Sequence, residues 1–471
     1  MPPKPSHQVT GLDHNDAICI DWSKCVGCQL CTTKCTFDVL EKGKPKSPPQ
    51  VHATRPNPEQ QNTDLTRILL KDTDCVGCGH CTSVCNFGAL KPLDPFDAIM
   101  EAKKNGKKLV AMIAPSTRLG VAECMGMPIG TTALAQLVLS LRKIGFDYVF
   151  DVDYGADKTT FDDHAEVMEM REKQTGPAIT SCCPAWIELL EKDYPDLIPK
   201  TSTARSPIGC LAALIKRGWA NDVKIDPENL YTVGIMPCVA KKVEAARPQI
   251  HQDYDASVTS VEVSNYFRAH LADEDKKFSE AREAEVEKTE EGLCDLPFRR
   301  ISGGSNIFGK TGGVSETVFR VIAKNAGVPW NEVNITKEEM YKHASGSTMT
   351  KVIVDIKGTI INGIVCHGGF AIRKACDMVR SGELTSKNCD VIEMMACLGG
   401  CLGGAGQPKI PPAKKAEMDK RRVKLDDLDY KAEFKAATEN TDMLEFVKSH
   451  FDAHGEHEHL HTYFEARYPQ A

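Results

Sequence analysis

Cys25, Cys28, Cys31 and Cys35 follow the spacing C-x2-C-x2-C-x3-C, and Cys75, Cys78, Cys81 and Cys85 repeat it fifty residues later. Three thiolates on one tight loop can hold three corners of an iron–sulfur cubane, while the fourth usually reaches across to a second cluster. Cys25, Cys28, Cys31 and Cys85 are therefore assigned to one 4Fe–4S cluster. Cys75, Cys78, Cys81 and Cys35 are assigned to another. Gly27 and Gly77 relieve crowding where the backbone wraps the sulfurs. A pair of zinc knuckles is the competing reading, but eight cysteines in this duplicated spacing fit iron better. Thr36 and Asn86 stand where proline usually follows the fourth cysteine, a change in the loop and not in the ligands. Clusters of this type carry one electron each, so the segment reads as a wire.

Three more cysteine motifs lie far apart: TSCCPAW (180–186), MPCVAKKVEA (236–245) and EMMACLGGCLGGAGQP (393–408). Strands are expected at 107–114, 148–153, 230–236, 351–356 and 391–396, and helices at 132–144 and 185–194, among others. That alternation predicts an α/β fold with mostly parallel sheets. Two of the motifs follow a strand end closely and TSCC follows the short run PAIT, and strand ends are where open α/β sheets gather ligands. Pro184 suits a first helical turn, which puts Cys182 and Cys183 at a helix N-terminus, where the dipole favours thiolate character. A polar, proline-rich connector (41–64) joins the two cysteine-dense segments, and 272–292 reads as a charged surface helix.

Composition narrows the function classes. A chain of 471 residues with 41% hydrophobic residues is long enough for two or three domains. The net charge of −7 argues against a nucleic-acid partner. No run of eighteen apolar residues marks a membrane span. The first residues have neither the layout of a secretory signal nor that of a transit peptide, so an intracellular, cytoplasmic protein is expected. Twenty cysteines without an export signal point to metal–sulfur chemistry and not to disulfides.

The three distant motifs, in this order and together with the doubled cluster segment, resemble those of the FeFe hydrogenases over residues 19 to about 465. The resemblance implies a two-lobed α/β catalytic domain behind a small ferredoxin-like domain with two 4Fe–4S clusters. The expected division is a loosely ordered 1–18, a cluster domain 19–94, a catalytic domain 95–412 and a helical extension 413–471. It also implies that Cys183, Cys238, Cys397 and Cys401 hold a further cubane. Cys401 would bridge it to a two-iron subsite with CO, cyanide and a dithiolate, the whole forming the H-cluster. Cys182 would pass protons to that subsite. Protons would enter through Asp163, then Ser202 and Glu166. Asp163 is one carbon shorter than the family's usual glutamate, and Met170, with Arg171 beside it, stands where the family often has arginine. Lys241 matches a lysine that meets one cyanide, and Ala114, Pro115 and Ser116 match the segment that cradles the other. Met236, Phe308 and Met395 match residues that wall the cavity. Leu398, the run Gly403-Gly404-Ala405-Gly406, and Ile208 after Pro207 depart from the family's usual residues.

What the resemblance implies overall is reversible reduction of protons to H2. Ferredoxin would be the electron partner, and maturation proteins would supply the two-iron subsite. The alternatives are an iron–sulfur assembly factor related to hydrogenases, or a hydrogen sensor. Gly304 to Thr311 satisfies the P-loop pattern, but no buried strand precedes it. The histidines at 454, 457, 459 and 461 read as a solvated helix face, and LHTYF resembles the family's C-terminal end. Cys19, Cys124, Cys210, Cys294, Cys366, Cys376 and Cys389 fit no ligand spacing and read as packing thiols.

Overall fold

The computed structural model describes residues 13–14, 17–37, 75–280, 289, 292–410 and 416–467. The connector 41–64, most of 1–18, part of 272–292 and residues 411–415 lie outside them. Strands β1 (Asp13–His14), β2 (Ile18–Ile20) and β3 (Leu90–Pro92) form a small antiparallel sheet. It joins the chain just before the first cysteine segment to the chain just after the second. The sequence repeat is also a structural one. A 3-10 turn follows the third cysteine of each segment, at Thr32–Lys34 and Thr82–Val84. In each, the leading threonine hydroxyl donates to a carbonyl three residues back, at 2.8 Å.

The remainder is built on two sheets. One has the order β5-β4-β7-β8 and is wholly parallel, with β4 at Lys108–Ile113, β5 at Tyr148–Asp151, β7 at Leu230–Met236 and β8 at Ala256–Thr259. The apolar runs predicted for three of these strands are buried almost throughout, as a parallel sheet covered on both faces requires. The other sheet runs β6-β12-β11-β10-β9. Its strands are β6 (Ala178–Ile179), β9 (Asn334–Lys342), β10 (Thr348–Ile356), β11 (Thr359–His367) and β12 (Val391–Met395). β6, β12 and β11 are parallel, whereas β9, β10 and β11 form an antiparallel meander. Lys357 and Gly358 make the two-residue turn between β10 and β11 with φ of 52° and 88°. Two positive φ values in succession suit the right-handed twist of a hairpin.

A helix at Asp153–Lys173 has no apolar stripe, yet most of its first half is buried. Its polar groups are paired instead. Asp153 meets Arg118 at 2.9 Å, Asp157 accepts from the Ser302 backbone and from Asn440, and Lys158 bonds Asp162. It crosses the helix Pro207–Ala213 so closely that a Cβ on Gly155 would stand 2.0 Å from the Pro207 carbonyl oxygen. Gly155→Ala must push the two helices apart. A loss of about 1–3 kcal/mol is expected, measurable as a lower unfolding midpoint.

Helices at Met418–Lys431, Thr441–His450 and Ala453–Leu460 pack the C-terminal segment onto this body. Arg421, 1% exposed, ties it to the third cysteine motif by donating to the carbonyls of Leu402 and Pro408, and it pairs with Glu123. Among the described residues no helix is long and apolar enough to cross a membrane.

Candidate metal centre and proton path

The C-terminal ends of β4, β6, β7 and β12 converge. Beyond β4 the chain turns through Ala114, Pro115 and Ser116 into a helix at Thr117–Cys124. β7 leads into Pro237 and Cys238, and β12 into Ala396 and Cys397. After β6, Cys183 is the N-cap of a helix at Pro184–Asp193, with Pro184 in its first turn. The result is a cavity of about 70 Å³ that gathers Cys182, Cys183, Cys238, Cys397 and Cys401 from three distant stretches of chain. Ala114, Pro115, Ser116, Met236, Lys241, Phe308 and Met395 line it as well. Every residue the sequence placed around the third cubane and its two-iron subsite is therefore in one wall.

The fit of such a group can be judged from the donors. The thiols of Cys183, Cys397 and Cys401 are pushed up by burial, and that of Cys238 to about 11. Iron must displace those protons on binding. Backbone N–H groups of Ala396, Trp186 and Ala185 point at the Cys183 sulfur, and those of Lys241 and Ala240 at Cys238, as sulfurs in a charged cluster require. Ser116 has a buried hydroxyl with no protein partner, on the cavity wall. Lys241 donates to Ser206 Oγ at 2.8 Å and to the Cys182 carbonyl at 3.3 Å, and Glu244 keeps it charged against its burial. Four thiolates, an unpaired hydroxyl and a cation suit an anionic iron–sulfur group with hydrogen-bond-accepting ligands. Among the described residues no three Cys, His, Asp or Glu side chains close round a point tightly enough for a single ion. A cubane holds its thiolates at its corners, wider than a mononuclear site does.

The third motif turns on Gly400, whose φ is 71° and whose Cβ would lie 2.7 Å from the Thr311 nitrogen. Leu398 packs beside Gly346 and Gly368 and does not line the cavity, whereas Ile208 does. Gly403, Gly404 and Gly406 sit where a Cβ would strike the backbone at Leu398 or Pro237. The P-loop-like run contains no nucleotide loop: Gly303–Ile307 is a short helix and Lys310 pairs with Asp426 at 2.7 Å.

In the cluster segment, Cys85 acts electrostatically on Cys25, and Cys35 on Cys75, Cys78 and Cys81. Each set of three thus has the other segment's fourth cysteine as its neighbour. Cys78 in turn interacts with both Cys238 and Cys397. The second set therefore lies next to the cavity. Cys28 of the first set is exposed, beside the exposed Val26, Leu30 and Phe87.

Two expectations about the proton path need correction. The helix dipole does not leave Cys182 a thiolate. Burial, with the charges of Asp163 and Cys183, pushes its thiol well up and outweighs the dipole. The order of the carboxylates is also reversed. Asp163 is 2% exposed and, when ionised, is the side chain that acts most strongly on Cys182, so it is the inner member. Glu166 lies one turn further along the helix and opens onto a surface cleft with Met170, Lys173 and Tyr463. Ser202 stands between them. Its hydroxyl donates to Asp163 Oδ1 at 2.6 Å, and it helps to hold the Glu166 carboxyl below its ordinary value. Arg171 does not replace the missing arginine, because it pairs with Asp390 at 2.6 Å.

Burial raises Asp163 to about 8, against the Ser202 hydrogen bond, so it holds a proton at neutral pH. Its folded value lies above the unfolded one near 4, so folding takes up a proton between those limits. The resulting stability is complete below about pH 4 and is lost as pH rises through 8. Asp163→Asn should flatten that decline, which thermal unfolding of both proteins across the same pH range will measure.

Two groups that the sequence did not point to meet Glu166. Thr203 donates its backbone N–H and hydroxyl to Glu166, and His461 reaches the same carboxylate from the C-terminal segment. His461 is not on a solvated face. LHTYF was the only sequence signal that could have marked it.

A profile of the iron only hydrogenase large subunit, C-terminal domain, matches residues 107–405, and a 4Fe-4S dicluster domain matches 24–89. The periplasmic [Fe] hydrogenase large subunit of Nitratidesulfovibrio vulgaris is 32% identical over 86% of this chain and 89% of its own length. Iron hydrogenase 1 of Clostridium pasteurianum is 31% identical over 75% of this chain, which spans 60% of that longer protein. The cytosolic iron-sulfur assembly component 3 of Bos taurus is 30% identical over 66% of this chain and 64% of its own. Among solved structures, an apo FeFe-hydrogenase from Chlamydomonas reinhardtii superposes with a TM-score of 0.62 at 28% identity, covering 79% of this chain and 99% of that one.

Proposed function

Because the chain belongs to the iron only hydrogenase family, we propose that it catalyses the reversible reduction of protons to H2. The observation that carries this reading is the single cavity that unites Cys182 with Cys183, Cys238, Cys397 and Cys401 beneath the unpartnered Ser116 hydroxyl. Cys183, Cys238, Cys397 and Cys401 would hold a cubane together with a two-iron subsite supplied by maturation proteins. When bound, that group supplies the redox-active metal at which protons and electrons combine.

The chain's own residues do the rest. Lys241 and the Ser116 hydroxyl would donate hydrogen bonds to the ligands of the subsite, with Ala114 and Pro115 shaping the wall beside them. Met236, Phe308 and Met395 keep bulk water away. Protons pass from Glu166 through the Ser202 hydroxyl to Asp163, whose buried Oδ2 has no other protein partner, and from there across one water to the Cys182 thiol. A thiol that stays protonated until it gives up its proton suits the last step. Cys25, Cys28, Cys31 and Cys85 would hold an electron-entry cluster at an exposed face that would meet ferredoxin. Cys75, Cys78, Cys81 and Cys35 would hold a second cluster that supplies electron transfer toward Cys238 and Cys397.

The test is hydrogen-dependent reduction of a viologen dye by protein produced together with maturation proteins. Turnover is expected. A protein that carries its iron–sulfur clusters but turns over no hydrogen would favour the assembly-factor reading, which the likeness to cytosolic iron-sulfur assembly components keeps as the alternative.

A further inference from the structure

The last residues of the fold are fastened next to the outer end of the proton path. Arg205 N donates to Leu460 O at 3.0 Å and Thr462 N to Thr203 O at 2.7 Å. This pairing fixes His461 between two relay elements. Its Nδ1 is 2.8 Å from Thr203 Oγ1 and 3.5 Å from Glu166 Oε1, and its side chain remains 17% exposed. Thr203 Oγ1 bonds the same Glu166 oxygen. A carboxylate, a hydroxyl and an imidazole are thus linked by hydrogen bonds through Thr203, with the imidazole and carboxylate in ion-pair contact and partly exposed.

We propose that His461 is a proton-carrying group at the mouth of the path, loaded from solvent and exchanging its proton with Glu166 directly or through the Thr203 hydroxyl. This inference rests on the hydrogenase reading for its purpose but not for the contact itself. In the step, the imidazolium Nδ1–H bond breaks and a Glu166 O–H bond forms, leaving a neutral imidazole. Water then returns a proton to the ring, and no electrons move.

The charges facing His461 support this role. Asp162 Oδ2 is 3.9 Å from Nε2 on the helix side. Lys158, which opposes a second positive charge, is neutralised by Asp162 and Glu456. His457 stacks on the ring at 5.3 Å, and the Arg205 Nε donates to the His461 carbonyl at 3.1 Å while its guanidinium pairs with Asp253. Burial alone would lower the imidazole, but the Glu166 hydrogen bond and the Asp162 charge raise it above 6.5. Glu166 is held below its ordinary value in return, against its burial, by His461 and Thr203. Met170, one turn beyond Glu166, brings no charge.

Two readouts test this on the cluster-loaded full chain. Nuclear magnetic resonance of labelled histidines gives the His461 titration. It is expected above 6.5 and should fall by about one unit in Glu166→Gln, which removes the paired carboxylate. His461→Ala should lower hydrogen turnover about tenfold, abolish the corresponding inflection in its pH profile, and recover with added imidazole. His461→Gln, which keeps the side chain's bulk, should behave as His461→Ala does without imidazole. A His461 titration indifferent to Glu166→Gln would overturn the contact. An unchanged pH profile in both His461 variants would overturn the proton-carrying role. If the wild type shows the coupled titration but no hydrogen turnover, the hydrogenase reading fails and the proton-sharing contact stands.

Discussion

Cys182→Ala is expected to lose at least about a hundredfold in hydrogen turnover while keeping its full iron content. The thiol is the only titratable side chain on the cavity wall that combines freedom from the proposed ligand set with direct coupling to Asp163. Without it, no proton donor links the buried carboxyl to the metal site. The substitution removes one buried atom, with a stability cost on the order of 1 kcal/mol. Infrared bands of metal-bound CO and cyanide should therefore persist in the matured variant. Full turnover would remove Cys182 from the path. Loss of the infrared bands would show instead that its role is structural.

Cys397→Ala should have the larger chemical effect. Cys397 is 8% exposed and interacts with Cys183, Cys238 and Cys401 on one side and with Cys78 on the other. Removing one corner of the cubane should cost the matured protein about six irons per chain, four of the cubane and two of the subsite it anchors. Hydrogen turnover should be undetectable, because the two-iron subsite then has no anchor. The paramagnetic signals of the two N-terminal clusters should remain, since their cysteines lie on other loops. Iron analysis with electron paramagnetic resonance of the reduced variant gives both answers. Retention of all iron would mean that Cys397 is not a ligand.

The parts of the molecule governed by local pattern were legible in the sequence. The buried parallel strands at 108–113 and 230–236 are largely apolar runs, and the cluster loops are fixed by spacing within eleven residues. The cavity cysteines are legible through three motifs, each near a strand end, whereas Ala114, Pro115, Ser116 and Phe308 are legible only through the family resemblance. What could not be read depends on how distant elements cross. Asp163 and Glu166 are three residues apart on one helix, so periodicity places them on one face but does not tell which end approaches Cys182. That is decided by the crossing of Asp153–Lys173 over the TSCC loop. Thiolate character at Cys182 was inferred from a local dipole, whereas the tertiary burial that opposes it depends on the whole fold. His461 is 258 residues from Thr203 in sequence. Its place depends on the short backbone pairing of 460–462 with 203–205, which no local signal announces. The buried polar helix itself lacks the apolar stripe that marks most helices, because its charges are matched by Arg118, Ser302, Asn440 and Glu456 from four other regions.

The proposed metal centre requires four cysteines from three separated motifs to bind one iron assembly. An anomalous difference map at the iron edge, from crystals of the matured protein, tests it most directly. It should show a cubane's worth of iron among Cys183, Cys238, Cys397 and Cys401, with a second, smaller iron feature beside Cys401 below Ser116 and Lys241. A map with iron only at the eight N-terminal cysteines, and none within reach of those four sulfurs, would contradict it.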